Sequence, residues 1–203
     1  MAELTTLDVA DDPATWERLG FAVGPDGACR IGAVTVRLLG AGAGHGIVGW
    51  RLDGADAAID GLPVAGAPTA AADAPADHPN GARKVDHVVV TTPDLDRTFA
   101  ALAAAGLELR RVREAGAPDR RLRQGFYRVG EALLEVVGPS GREGSAAFWG
   151  LVVVVDDLDA LAARLRHELG KIRDAVQPGR RIATVRASAG SSVALAFMSP
   201  RSR

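Results

Sequence analysis

Residues 84–203 read as one unit written twice, and this repeat constrains the fold more than any other feature of the chain. In the first copy, residues 86–90 (Asp-His-Val-Val-Val) form a short β-branched run that predicts a buried strand. Thr92-Pro93-Asp94 follows, with Thr92 as helix N-cap and Pro93 at the first helical position. Leu95, Phe99, Leu102 and Ala103 recur at helical spacing, and Gly106 stops the helix. After residues 107–113 and a polar loop come two strands, 124–129 and 132–137, joined by the tight turn Gly130-Glu131. The second copy repeats this order. A strand at 149–155 precedes an Asp156-Asp157 cap, then a helix carrying Leu158, Leu161, Ala162, Leu165 and Leu169 and closed by Gly170, then strands at 181–186 and 193–198. Asp-Leu-Asp at 94–96 aligns with 157–159, and Gly138-Pro139 aligns with Ser199-Pro200. Each unit exposes one apolar sheet face and needs a partner to bury it.

Residues 1–62 carry a worn version of the same order. A strand at 4–9, a cap at Asp12-Pro13, a short helix with Trp16 and Leu19, and a stop at Gly20 lead to a hairpin ending at Gly40. Residues 46–52 could open a further unit, with a stub of helix at 56–60. Between the parts, residues 63–83 are rich in Ala, Pro, Asp and Gly without a period, which reads as a linker. The expected organisation is therefore a partial unit (1–62), a linker (63–83) and a paired domain with modules at 84–140 and 147–200.

Bulk properties exclude several classes. The net charge of -1 gives no electrostatic reason to bind nucleic acid, and the densest basic cluster, Arg120, Arg121 and Arg123, is short. No apolar run approaches the roughly 18 residues of a membrane span. The opening residues hold Glu3, Asp8, Asp11 and Asp12, unlike a secretory leader, and the single Cys29 suits a reducing compartment. The expectation is a cytoplasmic protein whose partner is a small molecule, with a homodimer compatible.

His87 in the opening strand, the Pro-Asp-Leu-Asp helix start and Arg-Val-Gly-Glu-Ala-Leu-Leu-Glu-Val-Val-Gly-Pro at 128–139 resemble the vicinal oxygen chelate superfamily, in particular its glyoxalase-like domain proteins. The resemblance covers 84–200 well and 1–62 weakly. It implies an α+β fold of paired βαβββ modules, with a mixed sheet curled into an open cup. It also implies a divalent metal in the cup (Zn, Fe, Mn or Ni), held from the first and last strands of each module, and lyase, isomerase or dioxygenase chemistry on a small oxygenated metabolite.

Carried over residue by residue, His87 and Glu135 take the metal positions of the first module, and Glu135 doubles as a catalytic base. In the second module the matching positions are Gly150 and Ala196, neither of which can ligate, so the ligand set is incomplete. Gln124, Phe126 and Arg128 share a sheet face with Glu135 if the turn at 130–131 has two residues, so all three would line the cup, with Gln124 a candidate third ligand. Trp149 borders the second cup strand as a further substrate-binding candidate. The rival reading is a metal-free protein that binds a small molecule in the same cleft, and a third is a scaffold whose modules mainly dimerise.

Each of these residues also has a plainer reading. His87 could be a satisfied core histidine, and Glu135 could pair with Arg128 or bond His87. Gly44-His45-Gly46-Ile47-Val48-Gly49 matches a dinucleotide-binding spacing, but a strand rather than a helix is expected after it.

Overall fold

The computed structural model describes residues 2–55, 59–66, 77–115 and 122–201. Two sheets organise them. The larger has eight strands and contains both copies of the repeat. The first copy comprises β5 (Ala82–Thr91), α2 (Leu95–Ala104), β6 (Leu109–Ala115), β7 (Leu122–Val129) and β8 (Ala132–Gly138). The second comprises β9 (Ala147–Val155), α3 (Leu158–Arg164), β10 (Arg173–Asp174), β11 (Arg181–Thr184) and β12 (Ala194–Met198). In each copy the first and last strands lie parallel, β5 on β8 and β9 on β12, and the copies join antiparallel through β5 and β9. The result is the expected pair of βαβββ modules in one mixed sheet of order β10-β11-β12-β9-β5-β8-β7-β6.

The smaller sheet is built from β1 (Glu3–Val9), β2 (Ala28–Ile31), β3 (Val34–Leu38) and β4 (Ile47–Asp53), with α1 (Pro13–Arg18) after β1. β1 lies parallel to β3 and antiparallel to β4. This is one module short of a strand, with β4 set against β1 as β9 is set against β5. β4 begins directly after the Gly-rich stretch, so no helix follows Gly46 and the dinucleotide spacing has no phosphate-binding terminus behind it.

Local details depart from expectation in instructive ways. The N-cap of α2 is Asp94, not Thr92: the Asp94 carboxylate accepts from Arg97 N, while Thr92 Oγ1 accepts from Asp94 N one turn earlier. α3 ends at Arg164 instead of running to Leu169. Tertiary bonds take over there, since Arg186 N donates to Glu168 O and Arg186 Nε to Leu169 O, tying the segment to the strand behind it. Of the helix stub expected at 56–60, residues 56–58 lie outside the described residues and Ile59 and Asp60 are not helical. Gly125 allows α2 to sit close on β7, because a Cβ there would come 2.3 Å from the Phe99 ring.

One apolar core runs through both sheets, from Ala2 to Phe197. Trp16, Phe21 and Phe197 carry it across the junction, with ring centroids 4.7 and 5.7 Å apart. Beside them lies buried Asp11, which accepts from Trp16 Nε1 at 2.9 Å, Ser191 Oγ at 2.8 Å and Ser192 N at 2.6 Å. Asp11→Ala strands three donors at this junction and is expected to cost about 2–3 kcal/mol, measurable by denaturant unfolding. The opposite face of the large sheet bears a small buried apolar cluster of Val152, Ala196 and Met198, with Ala175 and Ile182 against it. That face is the floor of the cup. No helix among the described residues is long and apolar enough to cross a membrane.

Candidate functional site

Two strands bring the key groups together. On β5 the ladder to β9 slips between Val85 and His87, leaving Asp86 as an extra residue. Such a bulge places two successive side chains together instead of on opposite faces. The Asp86 carboxylate consequently lies 2.8 Å from His87 Nδ1. Arg180, only 4% exposed, closes the group from the second module: its Nη1 donates to Asp86 Oδ1 at 2.6 Å and its Nε to Ser199 O at 3.0 Å. Burial alone would raise the Asp86 carboxyl, but the hydrogen bonds and charges of His87 and Arg180 outweigh it and hold it down to about 2. With Asp86 ionised, the His87 proton sits on Nδ1 in the neutral ring and Nε2 faces the cup.

On β8, Glu135 is presented by the hairpin with β7. Gly130 adopts φ +70° in the two-residue turn, which sets the register Phe126 to Glu135 and Gln124 to Val137. Gln124 Nε2 donates to Glu135 Oε1 at 2.7 Å. Arg113 fixes the other end of that amide, directing Nε at 2.9 Å and also Nη2 at Gln124 Oε1. Burial raises the Glu135 carboxyl above the ordinary glutamate range, and the charges of His87 and Arg113 only partly offset it. The free Glu135 Oε2 lies 3.9 Å from His87 Nε2. That is too far for a hydrogen bond, so both atoms stay open to a third group between or beside them.

These groups open into a cavity of ≈ 660 Å³. Of the residues singled out in the sequence, His87, Gln124, Phe126 and Glu135 line it. Trp149, 59% exposed, lines an adjoining hollow that shares His87, Gln124 and Glu135. A second slip in the β5–β9 ladder, between Val89 and Val90, leaves Trp149 as the extra residue there. Arg128 does not line the cavity. It shares the face of Gln124 and Phe126 and pairs with Leu133, which does line the cavity, but its own side chain is exposed to solvent. It is also not the partner of Glu135, a role that falls to Gln124.

Asp86, Arg111, Arg113 and Arg180 belong to the site beyond the residues that the sequence pattern indicates. The alternation Arg111, Val112, Arg113 on a strand was a readable signal for the two wall arginines; the bulge that turns Asp86 inward has none. Of the other histidines, His78 ties the end of the linker to the first sheet, bonding Ala22 N and Arg30 O, while His45 and His167 are exposed.

The donor set does not fit the divalent metal that the resemblance implies. Ladder register places His87 opposite Leu133 with Glu135 two residues on; in the second module Gly150 stands opposite Ala194 with Ala196 two residues on. The second pair of positions is therefore Gly150 and Ala196, and a Cβ at 150 would come 2.7 Å from the Ala194 carbonyl oxygen. Gln124 cannot supply the missing ligand, since its carbonyl oxygen is occupied by Arg113. Among the described residues, no three His, Cys, Asp or Glu side chains gather around one point. Catalytic centres of zinc or non-haem iron need three protein ligands.

Comparisons with known proteins find similar chains among solved structures. Neither a protein-family model nor a curated protein matches the chain. Among solved structures, methylmalonyl-CoA epimerase from Mycobacterium tuberculosis is 20% identical with a TM-score of 0.48, over 61% of this chain and 91% of its own. A hypothetical protein from Bacillus halodurans C-125 is 12% identical with a TM-score of 0.47, over 59% of this chain and 96% of its own. A variant methylmalonyl-CoA epimerase from Streptomyces coelicolor, in complex with 2-nitronate-propionyl-CoA, is 19% identical with a TM-score of 0.44, over 58% of this chain and 97% of its own.

Proposed function

Because residues 82–198 have the paired βαβββ fold of the vicinal oxygen chelate superfamily, we propose that their cup takes up a small oxygenated metabolite and moves a proton on it without a metal ion. One observation carries this reading: Glu135 and His87 face each other 3.9 Å apart in a cavity, each braced from behind by its own arginine-anchored chain.

The roles follow from the environments. A carboxylate whose pKa is raised by burial is a stronger base than an exposed one, and it is matched to removing a proton from carbon next to a carbonyl. Glu135 is that base. His87, when protonated, keeps Nδ1–H on Asp86 and directs Nε2–H at the carbonyl oxygen, where negative charge develops as the proton leaves. Glu135 then returns the proton to carbon, giving an isomer, or the electron pair expels a neighbouring leaving group, giving a lyase. The Asp86–Arg180 and Gln124–Arg113 pairs hold both groups at their angles, so little reorganisation is needed on reaction.

The test is proton exchange. The protein is incubated in D2O with 2-oxo acids, 2-hydroxy acids and their thioesters, and loss of the α-C–H signal is followed by proton NMR. Exchange is expected at neutral pH, undiminished after exhaustive chelation and lost in His87→Gln. Exchange abolished by chelation and restored by one divalent ion would overturn the metal-free reading. Line broadening of a ligand with no exchange would leave a binding protein, the reading that the apolar floor and the exposed Trp149 at the rim favour.

A further inference from the structure

The cup is electrically lopsided, and its two walls differ in what they leave unsatisfied. Arg111 and Arg113 alternate onto the cavity face of β6, paired with Phe126 and Gln124. Residues two apart on a strand stand about 7 Å apart, a spacing that one oxyanion group can bridge. Arg113 spends Nε and Nη2 on Gln124, and its Nη1 meets no partner among the described residues. Arg111 forms no hydrogen bond or ion pair among them at all. Two like charges side by side at the mouth of a cavity repel until an anion neutralises them, and guanidinium groups suit the planar or tetrahedral oxygens of such an anion. The cavity's own carboxylates supply it only in part: Glu135 meets the charge of Arg113 across the Gln124 amide and does not bond either guanidinium, and Asp174 sits on the opposite rim. Apart from Asp174 and Gln177, that opposite wall is apolar. Ile182 and Met198 floor it, and Val176 stands 70% exposed at its edge, an apolar side chain left in water beside an open hollow.

We propose that the ligand of this cup is an amphipathic anion, with a carboxylate or phosphate held between Arg111 and Arg113 and an apolar body lying over Phe126, Ile182 and Met198 beneath Val176. This deepens the proton-transfer reading and relies on it only for the location of the site. The geometry orients the ligand: the anionic end lies at β6, and the atoms next to it pass over Glu135 and His87.

The experiment is a calorimetric titration of the whole chain at pH 7 with octanoate, octyl phosphate, 1-octanol and acetate. Octanoate and octyl phosphate are expected to bind roughly 10- to 100-fold more tightly than 1-octanol, the gain of a charge-assisted contact, and acetate is expected to be weaker than octanoate. The ratio of octanoate to octyl phosphate then separates a carboxylate ligand from a phosphate one. Arg111→Gln and Arg113→Gln should each reduce the octanoate affinity toward that of 1-octanol and leave 1-octanol unchanged. Arg111 is exposed, so its variant keeps the test sound even if Arg113→Gln loosens the hairpin. Equal affinity for octanoate and 1-octanol, or a preference that survives both substitutions, would overturn the proposal. The titration reads binding alone, so tight octanoate binding in a protein that exchanges no α-proton would count against the proton transfer and not against the anion subsite.

Discussion

Arg180→Met is expected to destabilise the protein by about 3–5 kcal/mol, more than any other substitution around the cup. The guanidinium is almost fully buried, and its loss leaves the Asp86 carboxylate in the interior with only His87 for compensation. Breaking a buried pair costs far more than the pair contributes, because the surviving charge remains desolvated. For a chain of this length the melting temperature should fall by roughly 10 °C. A pH signature identifies the cause. In the intact fold Asp86 is held near 2, below its ordinary 3.8, so the stability it contributes is complete above the ordinary value and is lost as pH falls toward 2. Without Arg180 the Asp86 carboxyl moves up, and acid sensitivity should begin at higher pH. Adding Asp86→Asn to Arg180→Met should recover part of the loss, since the double variant no longer buries an unpaired charge. Denaturant unfolding between pH 3 and pH 7 measures all of this. A loss below about 1 kcal/mol for Arg180→Met would mean that the pair does not brace His87.

Glu135→Gln is expected to separate activity from stability. Removing the base should slow α-proton exchange by roughly 10²–10⁴-fold, the usual contribution of a positioned proton acceptor. The same change should make the fold more stable at neutral pH. The folded state raises the Glu135 carboxyl, so the native protein binds this proton more tightly than the unfolded chain does. Stability therefore falls as pH rises from the ordinary glutamate range through the raised folded value. Glutamine carries no such charge and still accepts from Gln124 Nε2. The variant and the parent should melt together in mild acid and diverge above it, with the variant higher. Loss of function with gain of stability is the pattern of a group kept at a functional site against its own solvation cost. A melting difference independent of pH, or exchange that survives the substitution, would remove Glu135 from the role of base.

Strand period and one turn make part of the site legible in the sequence. In a strand, residues two apart share a face, and a two-residue turn reflects that face onto the next strand. That rule puts Gln124, Phe126 and Glu135 together, and all three line one cavity. The same rule over-reached at Arg128, because sharing a face says nothing about how far a cavity extends along it. The loss of side chains at Gly150 and Ala196 was also legible, since it needed only the alignment of the two copies. Arg111 and Arg113 are harder to place from sequence, because their strand runs into a polar loop and strand period alone does not assign it to the cup.

The chain's own local chemistry determined the repeat: β-branched strands, Asp-capped helices, glycine stops and the tight turn at Gly130 are short-range preferences written into neighbouring residues. The partner of His87 could not be written that way. Asp86 stands beside His87 only because the ladder slips against a strand of the other module, and Arg180 reaches it across 94 residues of chain. Contacts at that separation carry no periodic trace in the sequence; they exist only once the two modules have folded and docked, when burial makes an unpaired carboxylate too costly to leave alone.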